Sequence, residues 1–161
     1  MGIVLDASVA IVIDRLRLVA GFPRLGIDIF VPRAVLKELS RRQSRSLVDR
    51  GKAIVISPEA NRVPVEFRVG LGEGEMSVLS YCLENPKVWA ILDDLAARRL
   101  ALELGVKLAG TARLLRVMAH CGVIQEALLP KLFARLKRYH FWMSDSLIET
   151  VLREPPPNFS D

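Results

Sequence analysis

Gly2-Ile3-Val4-Leu5-Asp6 near the start of the chain and Val88-Trp89-Ala90-Ile91-Leu92-Asp93-Asp94 in its second half decide the fold. Each is a short apolar run without polar alternation, the pattern of a parallel strand covered on both faces. Each ends on an acid and gives way to a segment with helical spacing. Working outward, Ile27 to Val31 (broken by Asp28), Ala53 to Ile56 and Val106 to Ala109 are three more such runs. Between them, Ala7 to Leu18 carries Val9, Val12, Ile13 and Leu16 at helical spacing before Gly21-Phe22-Pro23 interrupts it. Pro32 suits the first turn of a helix with Val35, Leu36 and Leu39 as its apolar stripe, which the basic stretch Arg41 to Arg50 continues or caps. Glu73 to Leu83 predicts a helix stopped by Asn85-Pro86, and Leu95 to Leu104 another with Gly105 as C-cap. Further helices are expected with Thr111 as N-cap, over Pro130 to Tyr139, and behind a capping box at Ser146-x-x-Glu149.

Five apolar runs alternating with helices predict an α/β protein: a three-layer α/β/α sandwich around a mainly parallel, about five-stranded sheet. The 161 residues suit one domain, expected over 1–152, and Pro155-Pro156-Pro157 predicts a poorly ordered tail over 153–161. With 51% hydrophobic and 25% charged residues, the composition excludes a disordered chain. The longest stretch free of charged residues, Val117 to Gln125, is only nine residues, far short of a membrane span. The N-terminus lacks a basic leader region, so a cytoplasmic location is expected. Cys82 and Cys121 form no Cys-x-x-Cys pattern and read as reduced, small buried hydrophobes. With only His120 and His140, a zinc centre is disfavoured.

The net charge is +5, unevenly spread. Arg33, Lys37, Arg41, Arg42, Arg45, Arg50 and Lys52 make 33–52 strongly basic, and Arg113, Arg116, Lys131, Arg135, Lys137 and Arg138 do the same for 111–140. The span between carries a net −2. Basic surfaces beside an acidic centre suit a polyanion held near metal ions. Within that centre, Asp6 and Asp93 end two strands, where open parallel sheets form their sites. Glu75 precedes Leu79, Cys82 and Leu83 at i+4, i+7 and i+8, which aims it along the core-facing stripe of its helix. Glu38, preceded by Ala34 and Val35 at i−4 and i−3, is placed in the same way. Inward carboxylates that gather repel one another. Hard divalent cations such as Mg²⁺ or Mn²⁺, which prefer carboxylate and water oxygens, resolve that repulsion.

This series resembles the PIN-domain nucleases, and is most similar to a branch of small prokaryotic nucleic-acid-binding PIN proteins. The resemblance runs over residues 1–152. It rests on Ile3-Val4-Leu5-Asp6-Ala7-Ser8, Glu38, Leu71-Gly72-Glu73-Gly74-Glu75, Ile91-Leu92-Asp93-Asp94-Leu95-Ala96-Ala97-Arg98, and Leu104-Gly105 to Gly110-Thr111. It implies a Mg²⁺- or Mn²⁺-dependent endoribonuclease, the toxin of a type II toxin–antitoxin pair, with RNA, an antitoxin protein and a second copy of the chain as partners. The residues implied for catalysis and metal are Asp6, Glu38, Glu75 and Asp93, with Asp94 beside it. Many relatives carry Thr/Ser-x-Asp at the fourth acid where this chain has Leu92-Asp93-Asp94, so either Asp can be the ligand; Asp93 is preferred because it ends its strand most directly. Ser8 is placed to bond an acid or a water, or simply to sit in the first turn of its helix. Arg41, Arg42, Arg45, Arg98, Arg113 and Arg116 are the expected nucleic-acid contacts. Tyr139, His140, Phe141 and Trp142 could stack on bases, meet a partner or pack in the core. The rival reading is a non-catalytic PIN-like module that binds nucleic acid or protein. Three other folds fit less well. A haloacid-dehalogenase phosphatase needs an acid where Ser8 stands. A receiver domain needs its acid pair after the first strand. Gly70-Leu71-Gly72-Glu73-Gly74 lacks the spacing of a dinucleotide loop.

Overall fold

The computed structural model of the chain describes residues 1–59, 62–138 and 143–160. Its centre is β1 (Gly2–Leu5), buried at every position. β1 pairs in parallel with β2 (Asp28–Pro32) on one side and β4 (Val88–Ile91) on the other. β3 (Ile54–Ile56) pairs with β2, and β5 (Leu108–Ala109) with β4. The order β3-β2-β1-β4-β5 makes a five-stranded, all-parallel sheet, as the apolar runs predict. Eight α-helices are described: α1 (Ala7–Arg15), α2 (Arg33–Glu38), α3 (Arg41–Arg45), α4 (Glu73–Glu84), α5 (Leu95–Glu103), α6 (Thr111–His120), α7 (Leu129–Arg138) and α8 (Asp145–Arg153). α4 lies against β1, β2 and β4, with α2 packed on it; α6 packs against α7 and α8. None of these helices is long and apolar enough to cross a membrane.

The topology positions the site. The chain builds β1, β2 and β3 outward in one direction, then returns through α4 to lay β4 on the other side of β1. The strand order therefore reverses between β1 and β4, and the crevice beyond their carboxyl ends is where such sheets bind ligands. α4 is fixed there by Val78, Leu79 and Cys82, all buried. A fully buried leucine such as Leu79 contributes about 2 kcal/mol of hydrophobic stabilisation.

Several local readings change. The helix after Pro32 does not continue into the basic stretch. It stops at Leu39, and Ser40 starts α3 with a capping box, accepting from the Gln43 amide at 3.3 Å while Gln43 Oε1 accepts from the Ser40 amide at 3.0 Å. α3 has no buried residue, so no apolar stripe announces it, and a wider π-type turn over Ser46–Arg50 follows. Gly110, not Thr111, precedes the first turn of α6. Ser144, not Ser146, caps α8, accepting from the Leu147 amide at 3.1 Å. Gly105 behaves as read: at φ +69° it follows α5, with Val106 N–H donating to Ala101 O.

The segment after α8 packs on the sheet's side chains. α8 runs on to Arg153, and Phe159 is 2% exposed, its ring 5.5 Å from that of Trp89 in β4. Burying one aromatic ring is enough to dock a proline-stiffened segment that no helix or strand holds. Phe159→Ala should cost about 3 kcal/mol and lower Tm by about 6–12 °C in thermal unfolding. An unchanged Tm would mean that the segment contributes nothing to the fold.

Candidate active site

Five carboxylates sit at the carboxyl edge of the sheet or on the helices beside it. Asp6 follows β1 and caps α1. It is 6% exposed, and its Oδ2 accepts from Ser8 Oγ at 2.8 Å and, at the outer limit, from the Ser8 amide at 3.4 Å. Its amide donates to Ile91 O, tying the ends of β1 and β4 together. Asp93 and Asp94 follow β4. Glu75 lies in the first turn of α4, where its Oε2 accepts from the Gly72 amide at 2.8 Å. Glu38 ends α2 and accepts from the Gly74 amide. The Gly74 backbone comes so close that a Cβ there would stand 2.5 Å from Glu38 Oε1, so only glycine allows this approach. The Gly-Glu-Gly-Glu stretch therefore holds two acids by its backbone.

The electrostatics converge on Asp6. Burial raises the pKa of Glu38; the charge of Asp6 raises it further, the Gly74 N–H lowers it, and Glu73 raises it again. Glu75 is raised by burial, relieved by the Gly72 N–H, then raised by Asp6, Asp94 and Glu38. Asp93 is raised by burial, lowered by its Thr111 hydrogen bonds and by Arg98, and raised by Asp6. Asp6 is thus the shared neighbour of three acids that come from α2, α4 and the end of β4, far apart in sequence.

The two adjacent aspartates differ. Both oxygens of Asp93 are engaged by Thr111, from the amide at 2.9 Å and from the hydroxyl at 2.6 Å. Asp94 caps α5 with one oxygen, accepting from the Ala97 amide at 2.9 Å, and its charge is the one felt by Glu75. Asp93 locks the start of α6 to the end of β4, and Asp94 keeps one oxygen outside its cap. The hold of Thr111 on Asp93 goes beyond the cap expected of it. Its position after a parallel strand, at the edge where Asp93 lies, was the available signal. Ser8 sits in the first turn of α1 and donates to Asp6, so both of its readings hold.

Among the described residues, no three acid, His or Cys side chains converge tightly enough to grip one ion as they stand. The donor set still suits a hard divalent cation. The oxygens are all carboxylate, burial and then the charge of Asp6 raise the pKa values of Glu38 and Glu75, and Asp6, Glu75 and Asp94 each keep one oxygen outside the hydrogen bonds that position them.

Most of the expected phosphate-binding arginines are engaged inside the chain. Arg42 donates to the buried Asp14 at 2.6 Å, near the far end of α1 and about 12 Å along that helix from Asp6. Arg98 is half-buried and donates to Leu92 O at 2.8 Å. Arg113 pairs with Glu154 at 3.3 Å, and Arg116 with Glu126. Arg41 and Arg45, on α3, are less enclosed. Arg42 reaches Asp14 across 28 residues and Arg113 reaches Glu154 across 41, so counting charges could not reveal these pairs. Tyr139, His140, Phe141 and Trp142 lie outside the described residues. Cys82 and Cys121 are free thiols, and burial pushes Cys82 up to about 12, which makes it a poor nucleophile.

A five-stranded parallel sheet between helices, with carboxylates beside its switch point, is a three-layer α/β/α fold. A family model described as a PIN domain matches residues 2–155, and the chain belongs to the PIN-domain family. No curated protein matches it significantly.

Proposed function

We propose that the protein is a divalent-metal-dependent endoribonuclease. The observation that supports this reading most is the electrostatic convergence of Glu38, Glu75 and Asp93 on Asp6. Like charges concentrated beside a basic surface are costly to folding and are what a metal-assisted reaction on a polyanion needs. Asp6, Glu38, Glu75 and Asp94 would hold one or two Mg²⁺ or Mn²⁺ ions, directly or through water. Bound there, the metal would lower the pKa of a water and stabilise charge developing on the phosphodiester. The chain's own groups do the positioning. Ser8 orients Asp6, Gly72 and Gly74 orient Glu75 and Glu38, and Thr111 with Asp93 fixes the rim. Arg41 and Arg45 supply cationic surface for flanking phosphates. The toxin role, with an antitoxin and a second copy of the chain as partners, belongs to this proposal too. Growth arrest on expression, relieved by co-expressing the product of the neighbouring reading frame, tests it.

The deciding experiment is cleavage of single-stranded RNA. Activity should appear with Mn²⁺ or Mg²⁺, vanish in EDTA, and return when metal is restored in excess. A second reading, a PIN-like module that binds without cleaving, is favoured by the absence of three convergent ligands among the described residues. RNA binding with no metal-dependent cleavage would select it.

A further inference from the structure

The end of α1 farthest from Asp6 closes on an unusual residue. Leu18 N–H donates to Ile13 O at 3.0 Å and Arg17 N–H to Asp14 O at 2.9 Å, the paired bonds of a Schellman turn. That turn needs one left-handed residue, ordinarily glycine. Here it is Arg17, at φ +60°. Holding a side chain in that conformation costs stability, and such a cost points to a use for the side chain.

Arg17 lines a cavity of about 330 Å³, together with Arg42 from α3 and with Ser46 and Arg50 from the π-type turn after it. One carboxylate, Asp14, is in the lining too. It is buried and already bonded to Arg42 Nη2 at 2.6 Å. Three guanidiniums against one carboxylate leave the lining cationic. Among the described residues, neither the Arg17 nor the Arg50 side chain has a hydrogen bond or an ion pair, and Asp49 does not pair with its neighbour Arg50. Arg42 keeps the rest of its fork, and Ser46 can add a hydroxyl donor. The cavity holds about ten waters' worth of space, room for more than one phosphate. Among the described residues its lining has no aromatic ring on which a base could stack. Asp14 stands about 12 Å along α1 from Asp6, so this cavity is separate from the carboxylates.

We propose that the cavity is a binding site for a small molecule carrying a diphosphate group. The phosphates are held between the guanidiniums of Arg17, Arg42 and Arg50, whose planar forks suit their oxygens. The site stands apart from the nuclease reading and does not depend on it.

Pyrophosphate is the probe, in EDTA and at constant ionic strength. Calorimetry should show one site per chain, and at ten times Kd the Tm should rise by about 4 °C. Arg17→Gly and Arg50→Ala should each weaken binding about tenfold or more, while Arg99→Ala, an exposed arginine on α5, should not. Without ligand, Arg17→Gly should melt no lower than the wild type, because glycine suits the turn. Absence of binding to the wild type, undiminished binding in Arg17→Gly and Arg50→Ala, or an equal loss in Arg99→Ala overturns the site. A lower Tm for ligand-free Arg17→Gly would also count against it, since the arginine would then be kept for the helix end. Displacement of pyrophosphate by a single-stranded oligoribonucleotide would give the cavity to an RNA backbone and overturn the proposal of a separate small-molecule site.

Discussion

Asp6→Asn should lower the RNA cleavage rate on the order of a thousandfold, about 4 kcal/mol of transition-state stabilisation, and leave the fold intact. The size follows from position. Asp6 is the one acid whose charge reaches Glu38, Glu75 and Asp93, so its loss removes the centre of the cluster rather than one edge. The intact fold follows from chemistry. Asn keeps a side-chain oxygen that can accept from Ser8, so the cap of α1 survives at a cost of a few tenths of a kcal/mol. Circular dichroism and Tm check the fold; a gel-based time course in Mn²⁺ checks the rate. Wild-type activity in the variant would remove the acids from the chemistry altogether. RNA affinity in EDTA, carried by other residues, should change less than twofold or improve slightly as negative charge is lost.

How much of this was legible beforehand depended on whether a signal was local. β1 and β4 could be read because strands buried on both faces are apolar at every position. The acids that end them could be read because a parallel sheet forms its site there. β5 shrinks to Leu108–Ala109 because an edge strand has only one partner to hold it. α3 was invisible as a separate helix because it buries nothing. Partner choice was beyond reach. Arg42 meets Asp14 across 28 residues and Arg113 meets Glu154 across 41, so patches that look free for RNA are partly committed. The same holds for Asp93 against Asp94. Adjacent aspartates look alike in sequence, and only Thr111, 18 residues on, tells them apart. Proline breakers mark the end of helices and strands, not the end of packing: past α8, Phe159 is buried and Glu154 pairs with Arg113.

Glu75→Gln should cut cleavage by about a hundredfold or more and, in metal-free buffer at pH 7, raise Tm by about 2 °C. Burial first, then Asp6, Asp94 and Glu38, lift the pKa of Glu75 against the pull of the Gly72 N–H. A carboxyl whose folded pKa stands above its unfolded value favours folding only while protonated. That contribution is fully present below the unfolded value, near 4.3, and is lost as pH rises through the folded pKa. At pH 7, above the unfolded value, the carboxyl therefore opposes folding, and Gln relieves it while keeping an oxygen for the Gly72 amide. The advantage of the variant should shrink as pH falls and vanish near pH 4, where the wild type is itself protonated. Divalent cation should reverse the order at pH 7, because Mn²⁺ that binds the folded wild type stabilises it by mass action and binds the variant less well. Melting curves at pH 7 and 4, with EDTA and with Mn²⁺, carry the test. A variant less stable than wild type at pH 7 in EDTA, or equally helped by Mn²⁺, would show that Glu75 is a structural cap and not part of a site kept charged, at the expense of stability, for binding metal.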